Sequence, residues 1–149
     1  MSQETLARIG ANVATQNNRI THEPLFAVFQ KRRIYGMDSD EYDFPVTWLY
    51  EDECVEVEPS KARALNATYC RTGVVPKYYR RVGYVDTDVF VTACFTEAGA
   101  QAYIDANGHN LNKPFIFVTS LYRNQEMIAL RHILLDAGRG AVEARKEAA

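Results

Sequence analysis

Three asparagines, two aromatic rings and two arginines are spaced through this chain in a way that suits a polar, planar ligand carrying phosphate. Asn107 and Asn110 flank Gly108 and His109 in a polar loop, Tyr122, Arg123 and Asn124 stand together where a helix should begin, and Arg19 and Phe95 complete the set. A guanidinium donates a planar pair of hydrogen bonds to two oxygens, which an ammonium does not reproduce. A carboxamide presents donor and acceptor edges to a base or ribose, and an aromatic ring stacked on a base contributes roughly 1–3 kcal/mol. Arg80, Arg81, Tyr78 and Tyr79 are further candidates of the same kind. Each has a plainer reading as solvated charge, turn or cap amide, or core aromatic. The clustering between Phe95 and Asn124 therefore carries the argument.

Chemistry of turnover has no comparable signature. His22, His109 and His132 have no carboxylate or cysteine at metal-ligand spacing, and there is no glycine-rich GxxxxGK phosphate loop. Cys54, Cys70 and Cys94 are odd in number and lie 16 and 24 residues apart, which makes neither a disulfide framework nor paired zinc ligands. A Cys/His nucleophilic pair, which meets in space and not in sequence, finds no support in either neighbourhood. The expectation is a binder with no catalytic residue, no metal and no cofactor.

The elements that must hold these residues follow from periodicity. Ser2 can cap a helix carrying Leu6, Ile9 and Val13 on one face. Residues 25–35 read as a strand whose basic end, Lys31-Arg32-Arg33, passes to solvent, and residues 37–43 as an acidic turn. A strand at residues 46–50 holds the only tryptophan, Trp48; after the acidic stretch 51–58, Pro59-Ser60 opens a helix that Gly73 should end. Residues 78–85 and 89–95 read as an antiparallel hairpin joined at Asp86-Thr87-Asp88. Thr96 should cap the next helix and Gly108 should end it in the left-handed conformation. Residues 115–118 read as a central strand. Asn124 should then cap a helix burying Met127, Leu130, Ile133 and Leu134 until Gly138 stops it. The fold class is α+β: one domain over residues 1–138 with an antiparallel or mixed sheet backed by helices, then a flexible tail over 139–149.

Composition bounds the partners. In 149 residues, 47% hydrophobic and 24% charged, there is enough apolar material for one core. A net charge of −2 gives no field suited to long nucleic acid, so an anion site must be local. No apolar run near 18 residues and no signal-peptide pattern occur, which points away from membrane and towards the cytoplasm. Nine tyrosines, seven phenylalanines and one tryptophan exceed what a small core needs and predict self-association, as a dimer or higher.

The stretch Asn17-Asn18-Arg19-Ile20-Thr21-His22-Glu23-Pro24-Leu25-Phe26, the segment from Phe95-Thr96 to Asn110-Leu111, and Tyr122-Arg123-Asn124-Gln125-Glu126-Met127 resemble small phage and prophage proteins. Among these the chain looks most like the first-described Thoeris anti-defence family, phage sponges that sequester a cyclic ADP-ribose isomer made by a bacterial immune sensor. Residues 37–73 lie outside the resemblance. It implies a homo-oligomeric binder in the host cytoplasm, without turnover, with pockets between subunits and, in some members, a second site for cyclic oligonucleotides. Arg123 and Asn124 at a helix N-terminus would then take the pyrophosphate, Asn107 and Asn110 would address base or ribose, and Phe95 or Tyr122 would stack. The competing class is a phage inhibitor that blocks a host complex such as CRISPR by protein contact, with the acidic stretches 38–43 and 51–58 as its surface.

Overall fold

Alternating β-branched, aromatic and charged residues carry two strands further than the sequence pattern suggested. The computed structural model, which describes residues 2–37 and 43–147, is α+β: helix α1 (Gln3–Thr15), strands β1 (Pro24–Met37) and β2 (Val46–Tyr50), helix α2 (Pro59–Thr72), strand β3 (Tyr79–Cys94), helix α3 (Glu97–Asn107), a 3-10 turn (Gly108–Asn110), strand β4 (Phe115–Ser120) and helix α4 (Gln125–Glu147). The strands form one antiparallel sheet in the order β2-β3-β1-β4. Of the acidic turn expected at 37–43, residues 38–42 lie outside the described residues.

The expected hairpin at Asp86-Thr87-Asp88 does not form; β3 runs straight through it. No residue there adopts the positive φ that a tight two-residue hairpin turn demands. The two aspartates face basic partners across the ladder instead. Asp88 takes Lys31, and Asp86 receives a two-pronged bond from Arg33 at 2.8 and 2.9 Å. The basic end of β1 is accordingly paired at Lys31 and Arg33, and only Arg32 between them is exposed. Opposite charges across strands extend the ladder where the sequence alone suggested a turn.

Chain contacts divide into two units, one of residues up to Lys31 together with those from Asp88 on, the other Arg32–Thr87. In the first unit, Phe26 and Val28 are fully buried with Ala100 of α3, and Val91, Ile116, Val118, Tyr103 and Ile104 pack around them. Thr96 caps α3 by accepting from the Gly99 amide at 3.0 Å. Gly108 does not end α3 in the left-handed region: at φ −54° and ψ −29° it continues into the 3-10 turn. The strand at 115 is an edge and not the centre of the sheet, with Phe29 opposite Phe115 and Pro24 opposite Ser120.

Helix α4 departs furthest from expectation. It passes through Gly138, where a stop was expected, and stays helical to Glu147. Gly138 serves close approach: α1 and α4 touch backbone to backbone at Gly10 and Gly138, where neither position has room for a Cβ. The buried face is also rotated. Leu130 and Ile133 are 45% and 60% exposed, while Arg131 is only 6% exposed.

In the second unit, Trp48 is completely buried with Val57 and Leu65, and its indole N–H donates to Asn66 Oδ1 at 2.7 Å. Tyr69 of α2 packs edge-on against it at 6.0 Å between ring centroids. Gly73, left-handed at φ +67°, ends α2 as expected. Beside this core sits a polar hub. Glu56 accepts from Arg33 (2.9 and 3.3 Å), Tyr35 (2.9 Å) and Thr47 (2.7 Å). Burial alone would push the Glu56 carboxyl up, but the hydrogen bonds from Thr47 and Tyr35 and the nearby Arg33 charge outweigh it and hold the carboxyl below its ordinary 4.5. A depressed pKa means that the stabilisation is complete above the ordinary value and is lost as pH falls through the depressed one. Glu56→Gln should therefore destabilise the protein at neutral pH by roughly 1–2 kcal/mol, modest because the side chain is partly solvated. Its stability should also fall less steeply than that of the parent between neutral pH and pH 3, as denaturant titrations at both pH values would show. An identical acid profile in the two proteins would remove Glu56 from this role.

Candidate functional site

The strand ends decide which candidate residues can meet. β1 begins where β3 and β4 finish, and the loop before β1 is stitched to both finishing ends within the first unit. Gln16 Nε2 donates to the Phe95 carbonyl at 3.0 Å, and its Oε1 accepts from the Glu97 amide at 3.2 Å. Thr21 donates to Ser120 Oγ at 3.0 Å, and the Leu121 amide bonds the Glu23 carbonyl at 2.9 Å. Arg19, Phe95, Tyr122, Arg123 and Asn124 thus gather at one end of the unit.

Within this group the polar functions differ in availability. Arg19, held at φ +58°, is ion-paired to Glu97 in the first turn of α3. With half of its side chain exposed, the pair contributes no more than about 1 kcal/mol, yet it occupies the guanidinium. At the N-terminus of α3, Gln16 takes the Glu97 amide and Thr96 the Gly99 amide, which leaves only the Ala98 amide without a partner among the described residues, beside the Glu97 carboxylate. At α4 the situation is different. Asn124 caps the helix by accepting from the Met127 amide at 3.2 Å, and among the described residues nothing bonds the Gln125 and Glu126 amides. The preceding turn closes through the Asn124 amide to the Leu121 carbonyl at 2.8 Å, with Tyr122 N–H on Ser120 Oγ. Arg123 sits in that turn at φ +64°, its guanidinium 5.1 Å from the ring centre of Tyr122, which is itself 72% exposed. An exposed ring topped by a cation, at a helix end with open amides, can stack on a base and hold its phosphate.

Asn107 and Asn110 are not part of this group. Asn107 Nδ2 returns to the Tyr103 carbonyl at 2.9 Å and Asn110 Nδ2 meets His109 Nε2, both at the far end of α3. That end joins Asn112, whose Nδ2 donates to the Lys31 carbonyl. Seven residues of extended β1 separate Lys31 from Pro24, roughly 20 Å. One small ligand cannot touch both groups within a single chain. Arg80, Arg81, Tyr78 and Tyr79 belong to the second unit, where Arg81 lies over Tyr69 at 4.7 Å.

A residue that the sequence reading passed over belongs here. Arg131 lies seven residues after Asn124, two turns along the same face of α4, and its Nη2 reaches Asn18 Oδ1 at 3.5 Å. Its Nε is buried without a partner. Leaving such a donor unsatisfied costs about 1–3 kcal/mol, and more for a charged group. The available signal was an arginine set in the interval between Met127, Ile128 and Leu134, Leu135, where an apolar stripe leaves one turn to a cation.

Elsewhere in the first unit, a groove of about 1090 Å³ between α1 and α4 is lined by Leu6, Ala7, Ala11, Ala137, Gly138 and Ala141 among others; it includes none of the candidate residues. A separate face of the sheet presents Phe90 and Phe117, both more than half exposed, packed edge-on against Phe29. Burial raises the Cys94 thiol, which disfavours the thiolate a nucleophile needs. No helix among the described residues is long and apolar enough to cross a membrane. Comparison with protein-family models, curated proteins and solved structures finds no match.

Proposed function

We propose that this chain is a stoichiometric binder that captures a phosphate-bearing nucleotide, of the cyclic ADP-ribose kind that its likeness to the phage sponges implies, and holds it without altering it in the host cytoplasm. The observation that supports this reading is the α4 entrance: Arg123 over the exposed Tyr122, beside open helix amides and the Asn124 cap. A sponge must hold its ligand at low concentration, and nanomolar affinity corresponds to roughly −12 kcal/mol. Stacking and two or three charge-assisted bonds reach that range when the groups are already in place.

The distance between Asn107 and Asn110 on one side and Arg123 on the other favours a site completed by a second copy, in which the amides of one chain face the cation of another. The exposed aromatic face at Phe90 and Phe117 supplies apolar surface for such an association. Light scattering at tens of micromolar should report a dimer or higher state; a 16.9 kDa particle would contradict it.

A thermal-shift screen with cyclic ADP-ribose isomers and cyclic di- and trinucleotides tests the reading, since a ligand that binds only the native state raises the melting temperature. One of them should raise it by several degrees at saturation. If none does, the competing reading of a protein that blocks a defence complex by contact takes its place.

A further inference from the structure

We infer that Arg131 forms the floor of a buried phosphoryl-binding subsite beneath the first turn of α4. Its side chain is nine-tenths buried and carries no carboxylate partner among the described residues. The one hydrogen bond it makes, to Asn18 Oδ1, is at the outer limit of such bonds, and its Nε makes none. Arg33 shows what a satisfied guanidinium in this chain looks like: a two-pronged bond to Asp86 and a third contact to Glu56. Arg131 has the same donors and no oxyanion to receive them.

Its direction is fixed by the helix. Side chains on an α-helix lean towards its N-terminus, and seven residues return to the same face, so Arg131 shares the face of Asn124 and leans towards the turn that Asn124 caps. The contact with Asn18 places it against the loop that Thr21 and Glu23 tie to Ser120 and Leu121. The open amides of Gln125 and Glu126 belong to that same end of α4. A guanidinium fork on the same helix face as open first-turn amides is the donor set for a tetrahedral phosphoryl group. Of the neighbouring acids, Glu97 is engaged by Arg19, Glu126 is exposed, and Glu23, half-buried in the same loop, makes no ion pair with Arg131 among the described residues. The subsite deepens the nucleotide reading by giving a second phosphate its own seat, apart from Arg123.

The test uses the full chain and sodium pyrophosphate in chloride buffer, following the Arg131 Nε–Hε resonance by NMR together with the melting temperature. Pyrophosphate should shift that resonance saturably and raise the melting temperature. Arg131→Gln, confirmed as folded by circular dichroism, should lose about tenfold or more of the pyrophosphate affinity, and Arg131→Lys should retain part of it because charge survives without the fork. Should Arg131→Gln fail to fold, the resonance of the parent protein decides alone. A resonance unmoved by millimolar pyrophosphate, or a folded Arg131→Gln variant that binds as the parent does, overturns the subsite. The two proposals separate cleanly. A nucleotide that binds while the Arg131 resonance stays still overturns the subsite and leaves the binder; pyrophosphate that moves it when no nucleotide binds supports the subsite and removes the nucleotide reading.

Discussion

Replacing Gly10 with alanine should destabilise the protein by about 3 kcal/mol and lower its melting temperature by roughly 6–12 °C. At an ordinary exposed helix position the same change gains nearly 1 kcal/mol, because alanine is the better helix former. Here the sign reverses. A Cβ at Gly10 would lie 1.9 Å from the Leu134 carbonyl oxygen and 2.6 Å from the Gly138 nitrogen, and one at Gly138 would lie 2.5 Å from the Gly10 carbonyl carbon. These are backbone atoms of a packed helix, so relief requires α1 and α4 to move apart along their shared length. Gly140, two residues further along α4, meets nothing within 4 Å and serves as the internal control. Gly140→Ala should stabilise by about 0.5–1 kcal/mol. Equal effects at the two positions in thermal or denaturant unfolding would show that the close crossing of α1 and α4 is absent.

That crossing also marks where the sequence stopped being legible. The caps at Ser2, Thr96 and Asn124 and the left-handed Gly73 are local signals, each written in one or two residues, and each helix begins or ends where its signal stands. Gly138 carries the same local signal as Gly73, yet its role is set by Gly10, more than 120 positions away, which no local pattern encodes. Asp86-Thr87-Asp88 misleads for the same reason: two aspartates read as a turn until Lys31 and Arg33 are placed across from them. In the site, the adjacency of Tyr122, Arg123 and Asn124 was readable because all three share one turn. The fate of Asn107 and Asn110 was not, since a helix of eleven residues carries them roughly 16 Å from Phe95. Arg131 escaped notice because a single charge in an apolar stripe reads as a solvated residue until its burial is known.

Arg123→Ala should weaken nucleotide binding by roughly 1.5–3 kcal/mol, a factor of about 10 to 150, the range for a hydrogen bond to a charged group. The unliganded melting temperature should stay nearly unchanged, because the side chain is exposed and packs only on the exposed ring of Tyr122 among the described residues. Alanine keeps the positive φ as costly as arginine does, so the comparison isolates the guanidinium. Tyr122→Ala should lose a comparable amount, roughly 1–3 kcal/mol, if the ring stacks on the base. Calorimetric titration of the parent and both variants gives these numbers directly, and parent-like affinity in Arg123→Ala would take the site away from the α4 entrance.

Capture without turnover leaves its mark on the ligand itself. A stoichiometric complex of the protein with the nucleotide that stabilises it is heated until the protein unfolds, and the released ligand is analysed by chromatography against an untreated standard. The intact cyclic nucleotide should be recovered in full after prolonged incubation. A cleaved product accumulating with time would contradict it and make the protein an enzyme.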